Sequence, residues 1–394
     1  MKDVAEFETP TQEDIQIDLG ALFRGAAKVI LESAMEEEMR TIIGAAKWAR
    51  LGTERGDVRN GSYLRKILTT MGAVELAVPR SRESGAATET LGRYQRRADE
   101  IDNAITAAYV NGVSTRKMGH VTKALLGERV ERSTVSRVTK VLEQEVEALR
   151  AEPLTDAFPY LFLDATFIDA RWARKVENVS ALVAYGVNEK GHRRLLAITI
   201  GAQESEESWA DLLRQLVDRG LRGVELVVAD AHAGLGAAVR HQLPEAKLQR
   251  CVVHLQRNVF AKAPHRLRKR LASEVSQVFR APTLAEARTR LESLKRRFSK
   301  LVPEAIEVLE KGFVASTQFY AFPKEHWTRI RSTNGLERLH GEIKRRTRAV
   351  GAFPDRASAL RLITAVAIRA TSLWLDRRYL DMPQRKETEI KKVA

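Results

Sequence analysis

Three acidic residues stand at positions where they could do chemistry rather than packing. Asp164 interrupts the apolar run YLFLDATFI, although strands disfavour aspartate and a buried ionised carboxylate needs a cation or several donors. Asp230 ends a second apolar run, VELVVAD, and Glu337 lies within STNGLERLHGEIKRRTRAVGAFP. Two aspartates and a glutamate from separate elements form an all-oxygen site that suits hard divalent cations, Mg2+ by preference. A pair of such ions can activate a water or a 3′-hydroxyl for attack on a phosphodiester.

Two of these acids also have ordinary structural interpretations. Asp230 precedes the helix-like stretch AHAGLGAAV, and aspartate at this kind of corner is often a helix N-cap. Glu337 follows Asn334 by three residues, which fits a capping box in which the carboxylate only accepts a backbone N–H bond. Helical periodicity places Lys344 on the same side as Glu337, roughly 10 Å along the axis, where it could meet a phosphate.

The segments around the aspartates predict a mixed β-sheet. Three β-rich runs joined by short turns should pair antiparallel, and a helix then leads to a fourth strand. This order is typical of the start of the ribonuclease H-like fold, in which the first and fourth strands are neighbours. Asp164 and Asp230 would therefore meet at one edge of the sheet. The predicted strands are 160–168, 178–188, 192–202 and 224–230, followed by a short strand at 247–253.

The remainder of the chain reads as helices around a hairpin. Residues 20–51 have apolar positions at helical spacing, and 60–82 predict a β-hairpin with basic ends. Three helices over 101–150 match a helix-turn-helix, with Ser133 as the N-cap of the last helix. A structural three-helix bundle or a dimerising helix would give a similar pattern. Basic helices fill 255–322, and further helices follow Asn334 and residue 355.

The charge balance favours a polyanionic partner. Lys and Arg exceed Asp and Glu by 66 − 51 = 15, and the basic runs RLRKR, KRRFSK and KRRTR lie close together in the sequence. Neither a lipidation motif nor a long apolar span is present, so we expect no membrane association. No phosphate-binding Gly-rich loop appears, which argues against a nucleotide cofactor. One cysteine suits a reducing compartment, and we expect a cytoplasmic, nucleoid-associated protein.

Cys251 and His254 form a Cys-x-x-His at metal-ligand spacing, but no second pair completes a tetrahedral zinc site. We favour a thiol and an imidazole packed beside the active site, with His254 bonded to a backbone group or a carboxylate. A serine hydrolase is disfavoured because no Gly-x-Ser-x-Gly is present.

Four motifs in order resemble those of bacterial Mutator-type insertion-sequence transposases of the DDE class. They are FLDATFIDAR, VVADAHAGLGAAV, QRCVVHLQRNV and the segment around Glu337. The resemblance extends to the hairpin and to the helices before residue 150. It implies a ribonuclease H-like domain with an all-α insertion, and Asp164, Asp230 and Glu337 as catalytic ligands of two Mg2+ ions, for which Mn2+ could substitute.

The resemblance also implies how such a protein acts on DNA. A homodimer or higher oligomer would bind double-stranded DNA at the terminal inverted repeats of its element through the N-terminal segments. Metal-dependent cleavage at the ends would precede attack of the freed 3′-hydroxyl on target DNA. The residues that we expect to contact DNA are Arg65, Lys66, Arg80, Arg116, Lys117, Ser133, Thr134, Arg137, Lys344, Arg345, Arg346 and Arg348.

The predicted fold is therefore α+β and multidomain. The divisions are an N-terminal helical segment (1–56), a β-hairpin and loop (57–100), a helix-turn-helix (101–152), the first part of the ribonuclease H-like core (153–254), the helical insertion (255–328) and the second part of the core (329–394).

The sequence alone leaves two rival functions open. A structure-selective nuclease on the same fold would use the same acids but has little use for separate N-terminal recognition modules. A non-catalytic DNA-binding regulator would use Glu337 only as a helix cap.

Overall fold

A computed structural model describes residues 18–48, 57–82, 89–92, 95–172, 175–201 and 203–383. The chain divides into two compact units, Met1–Thr139 and Lys140–Ala394. No helix among the described residues is long and apolar enough to span a bilayer.

The N-terminal unit combines a helix, a hairpin and three short helices. Its elements are α1 (Leu19–Ile43), β1 (Arg59–Thr69), β2 (Gly72–Ser81), α2 (Asp99–Val110), α3 (Thr115–Leu126) and α4 (Arg132–Val138).

The predicted hairpin is present, since β1 and β2 pair antiparallel across the turn before Gly72. Its inward side chains, including Leu76 and Val78, pack with Met35 of α1. The predicted helix over 20–51 is α1, which ends at Gly44 in the left-handed conformation, φ 74°. The last residues of that prediction, 49–51, lie outside the described residues.

The apolar stripe of α1 is only partly buried. Met35 and Met39 are fully buried, whereas Leu22, Phe23 and Ile30 are at least half exposed. The first half of the helix therefore leaves an apolar face uncovered within the described chain.

The helices α2 to α4 pack around Ile105, Met118 and Val135, all buried. The prediction that Ser133 caps the third helix is wrong: Glu131 has the extended cap conformation, and its carbonyl accepts the first helical bond, from Val135 N–H. The expected long third helix is also interrupted by a 3-10 turn at Thr139–Val141. A separate helix begins after this turn.

The second unit contains a five-stranded sheet and the remaining helices. Its elements are α5 (Leu142–Ala151), β3 (Tyr160–Trp172), β4 (Lys175–Val187), β5 (Arg193–Gly201), α6 (Glu206–Asp218), β6 (Leu226–Ala229), α7 (Ala233–Gln242), β7 (Lys247–Arg250), α8 (Val252–Ala261), α9 (His265–Phe279), α10 (Leu284–Phe298), α11 (Pro303–Phe313), α12 (Trp327–Ile330), α13 (Asn334–Val350) and α14 (Arg356–Thr371).

The sheet order is β5-β4-β3-β6-β7. The first three strands pair antiparallel, whereas β6 runs parallel to β3 and β7 parallel to β6. The five predicted strands are present, and the first and fourth are neighbours as expected. The last strand is shorter than predicted, because β7 ends at Arg250 and α8 begins at Val252. The β3–β4 pair is longer than predicted and continues to Trp172 opposite Lys175.

Helices cover the two faces of this sheet. Leu161 and Leu163 of β3 point to one face and pack with Trp209 of α6 and Leu235 of α7. Because side chains alternate along a strand, Phe162 and Asp164 point to the opposite face. That face receives α13, since a Cβ at Gly335 would lie 2.6 Å from the Tyr185 hydroxyl on β4.

The helical segment between β7 and α13 is anchored by a buried amide. Gln249 of β7 donates through Nε2 to the carbonyl of Ser316, and its Oε1 accepts from Phe319 N–H at 2.9 Å. Residues 255–328 are helical over most of their length, as predicted.

Candidate active site

Asp164 and Asp230 are brought to neighbouring positions by strand register. Tyr160 pairs with Leu226 and Phe162 with Val228, so continuing the register by two residues places Asp164 opposite Asp230. Adjacent strands lie about 4.8 Å apart, which puts the two backbones side by side. The N-cap of α7 is His232 and not Asp230, so the capping interpretation of Asp230 is wrong.

Asp164 is a buried acid whose carboxylate oxygens have few polar neighbours among the described residues. One oxygen, Oδ1, accepts from the N–H of Ala165 at 3.1 Å, and Oδ2 lies 3.5 Å from Nδ1 of His340. Burial raises the pKa of Asp164 to about 7, with His254 opposing the rise and the negative charges of Asp230 and Glu337 adding to it. The negative charges of Asp230 and Glu337 are therefore close enough to act on Asp164.

Helix α13 carries Glu337 and is tied down at both ends. The N–H and the hydroxyl of Thr333, its N-cap residue, each donate to the Cys251 sulfur at 3.4 Å. Beyond its C-terminus, Phe353 N–H donates to the carbonyl of Asp169 on β3 at 2.9 Å. The buried cysteine thus fixes the start of the helix that presents the third acid.

Glu337 faces cationic side chains rather than the helix backbone. Nη1 of Arg257 donates to its Oε1 at 2.5 Å, and Nε2 of His254 lies 3.5 Å from the same oxygen. The capping-box interpretation is therefore wrong, because the N-cap is Thr333 and the carboxylate turns away towards α8.

Cys251 and His254 lie near the candidate acids, with Nε2 of His254 3.5 Å from Oε1 of Glu337. Although burial alone raises it, the pKa of the Cys251 thiol is lowered by His254 and by the donors of Thr333. The interaction with Cys251 and the negative charges of Asp230 and Asp164 raise the pKa of His254 to about 9. The imidazole is thus a cation at neutral pH.

The fit of these residues to a divalent cation is mixed. Within the described part of the chain, no three His, Cys, Asp or Glu side chains meet closely enough to hold a metal ion. The donor chemistry nevertheless suits Mg2+, because all three candidate ligands are carboxylates. The raised pKa of Asp164 also reflects uncompensated negative charge, which a cation would relieve. Glu337 differs from the aspartates, because its carboxylate is occupied by Arg257.

Comparison with known proteins identifies the family. The model of the "Transposase, Mutator family" matches residues 2–376. The transposase for insertion sequence element ISRM5 of Rhizobium meliloti is 36% identical over 365 residues, covering 92% of each chain. The transposase for IS406 of Burkholderia multivorans is 35% identical over 89% of this chain and 90% of its own length. The transposase for IS256 in transposon Tn4001 of Staphylococcus aureus is 33% identical over 89% of this chain and 91% of its own length.

The chain belongs to the Mutator family of transposases.

In this Mutator-family chain, the predicted DNA-contacting residues of the N-terminal unit lie mostly at the surface. Those with exposed side chains are Lys66, Arg80, Arg116, Lys117, Ser133 and Arg137. Arg65 and Thr134 are half-buried, and Nη2 of Arg65 donates to the carbonyl of Gly92 at 3.2 Å. Lys66 forms an ion pair with Glu128, and Arg80 lies over the ring of Tyr63.

The four predicted DNA-contacting residues of α13 differ in whether they bond to an acidic side chain of the same helix. Lys344 and Arg348 are exposed. Arg345 and Arg346 both donate to Glu342, at 2.5 and 2.9 Å, within the same helix. Lys344 and Arg348 are therefore the more available for phosphate.

Two residues of the site were missed from the sequence. Arg257 comes from α8, eighty positions before Glu337, and no local pattern distinguishes it from the many other arginines. His340 lies one turn after Glu337 and directly beside Leu339. A histidine on the apolar side of this helix is the signal that could have identified it from the sequence. Burial and the positive charges of Lys344 and His254 lower the pKa of His340 to about 4.

Proposed function

We propose that this chain is the transposase of an insertion sequence, that it binds the terminal inverted repeats of that element, and that it cleaves DNA strands and transfers them into target DNA with the help of a metal ion. The observation that carries the proposal is that three acids from distant segments lie in one region of the second unit, with Asp230 and Glu337 near enough for their charges to act on Asp164. The β3–β6 register supports the pairing of Asp164 with Asp230, and the charge of Glu337 acts on Asp164.

The ribonuclease H-like assignment is part of this proposal. Three antiparallel strands, a helix and a parallel fourth strand beside the first agree with that fold, as does the break before α13 that accommodates a helical insertion. Asp230 follows the last residue of β6, at the carboxyl end of that strand, where open α/β sheets place ligands.

Asp164, Asp230 and Glu337 would hold the Mg2+ ions, and Mn2+ would substitute because it accepts the same oxygen ligands. When bound, such ions supply charge stabilisation for the attacking and leaving oxygens of a phosphodiester. Two changes in the chain's own residues would accompany metal binding. Asp164 loses its proton to become a ligand, since its pKa lies near 7. Glu337 gives up its bond with Arg257, and the freed guanidinium can then turn to phosphate.

DNA recognition is assigned to the N-terminal unit and to α13. The packing of α2 to α4 agrees with a helix-turn-helix in which α4 presents Ser133, Thr134 and Arg137 to DNA. We include a homodimer in the proposal, and the exposed apolar stripe on α1 is of the kind that protein interfaces use.

The direct test is a strand-transfer assay with labelled element ends and supercoiled target plasmid. The proposal predicts cleaved ends that become covalently joined to the plasmid in Mg2+. Cleavage without a joined product would instead favour a structure-selective nuclease. A protein that binds the ends but cleaves nothing in Mg2+ or Mn2+ would be the regulator.

A further inference from the structure

A row of stacked rings leads away from the acids along the same face of the sheet. Phe162, two residues before Asp164, stacks on Tyr185 with ring centroids 4.5 Å apart and an angle of 5°. The edge of Trp374 meets Tyr185 at 5.1 Å and 70°. The aromatic row thus starts beside Asp164 and ends in the segment that comes after α14.

Two arginines continue this row. The guanidinium of Arg193 lies between two rings, 4.2 Å from the centroid of Trp374 and 4.4 Å from that of Tyr379. Arg329 lies 5.0 Å from the centroid of Tyr379. Tyr379 itself is fixed by the β4–β5 turn, because its N–H donates to the carbonyl of Gly191 at 2.8 Å.

A third arginine approaches from α13. Gly335 packs against the Tyr185 hydroxyl, and Arg338, three residues later, lies on the same side of the helix. Burial, together with the positive charges of Arg329 and Arg338, lowers the pKa of Arg193, while Tyr379 and Tyr185 oppose this. The positive charges of Arg329 and Arg338 are therefore close enough to act on Arg193.

Within the described chain, these three arginines lack acidic partners. Elsewhere in this unit Arg356, Arg361 and Arg369 each pair with a glutamate. Among the described residues, no carboxylate forms an ion pair with Arg193, Arg329 or Arg338, and Nε of Arg193 is buried without a hydrogen-bond partner. Concentrated positive charge without an acidic partner suits an anionic ligand.

We propose that Arg193, Arg329 and Arg338 form a binding site for backbone phosphates of the DNA strand that enters the acidic site, with Trp374 and Tyr379 as the scaffold that orients Arg193 and Arg329. This inference rests on the proposed function, since it assumes that the acids act on DNA. Phosphate is favoured over a stacked base because guanidinium groups already lie over the rings of Trp374 and Tyr379. Arg329 and Arg338 are exposed and can reach a ligand directly.

The test measures how the affinity of the full-length chain for DNA depends on salt. A labelled duplex oligonucleotide is titrated in EDTA, which prevents cleavage, and the logarithm of the binding constant is plotted against that of the salt concentration. Each lost phosphate contact lowers the slope by about 0.9. We expect the Arg329→Gln/Arg338→Gln variant to lose nearly two in slope. The matched control is Arg214→Gln on α6, an exposed arginine on the opposite face of the sheet.

A second variant separates charge from stacking. Arg329→Lys/Arg338→Lys keeps both positive charges but loses the planar guanidinium groups, and we expect it to keep most of the slope. The inference is overturned if the glutamine variant retains both slope and affinity, or if the lysine variant loses as much as the glutamine variant. A wild-type chain that does not bind duplex DNA would contradict the proposed function itself.

Discussion

Arg257 donates a hydrogen bond to Glu337 at 2.5 Å, so the third candidate metal ligand is neutralised by a side chain of the protein. His254 reinforces this, because its positively charged ring lies 3.5 Å from the same oxygen. On our account these cations stand in for a metal ion at Glu337.

Removal of this arginine should therefore strengthen metal binding. Hydrogen bonds to charged groups contribute about 1.5–3 kcal/mol, and we take the low end because the Arg257 side chain is 57% exposed. We expect Arg257→Gln to bind Mn2+ about tenfold more tightly, as measured by electron paramagnetic resonance of free Mn2+ without DNA. The Mn2+ affinity of Arg257→Lys, which keeps the charge, should fall between that of the wild type and that of Arg257→Gln. Unchanged or weaker Mn2+ binding by the glutamine variant would show that Arg257 does not compete with the metal.

The raised pKa of Asp164 predicts a pH-dependent cost to stability. The unfolded chain releases this proton near pH 3.8, whereas the folded chain keeps it until about pH 7. Between these values the folded state binds more protons, so stability falls as pH rises, and the cost is complete above pH 7. At about 1.4 kcal/mol for each pKa unit, the upper limit is about 4 kcal/mol.

Asp164→Asn should consequently be more stable than the wild type at pH 8 in EDTA, with little difference at pH 4. Urea unfolding at both pH values measures the two free energies. Equal free energies of unfolding for the wild type and Asp164→Asn at pH 8 would contradict a destabilising effect of the ionised Asp164.

The close approach of α13 to the sheet predicts opposite effects of alanine at two glycines of one helix. A Cβ at Gly335 would lie 2.6 Å from the hydroxyl of Tyr185, whose ring is buried and stacked, whereas no atom of the described residues lies within 4 Å of a Cβ at Gly341. Gly341→Ala should stabilise the protein by about 0.5–1 kcal/mol through helix propensity. Gly335→Ala should lower the melting temperature and displace Glu337. Stabilisation by both substitutions would indicate that α13 is not seated tightly against β4.

The sheet and the aspartates could be predicted because their patterns are local. Apolar β-rich runs with turn residues between them indicated the strands, and an aspartate within such a run was conspicuous. The apolar side of α13 could also be predicted, because Leu336, Leu339 and Ile343 recur at helical spacing. All three are buried.

Other parts of the site depend on contacts that no local pattern contains. Arg257 meets Glu337 across eighty residues. What distinguishes Arg193 is its contact with the rings of Trp374 and Tyr379, which come after α14, and no pattern among its neighbours in sequence indicates this contact. The long β3–β4 arm was underestimated because its outer part is polar, with Asp169 paired opposite Asn178. The capping alternative for Glu337 stayed open at the sequence level because the motif does not distinguish backbone from side-chain partners.

The rate of end cleavage in Mg2+ by Asp164→Asn, Asp230→Asn and Glu337→Gln tests the central claim most directly. Metal ligation contributes several kcal/mol to such a reaction, so each variant should lose about a thousandfold in rate or more while still binding element ends. Asp211→Asn, at an exposed acid of α6 that pairs with Arg214, is the control and should cleave normally. Cleavage at the wild-type rate by any of the three carboxylate variants would contradict the account.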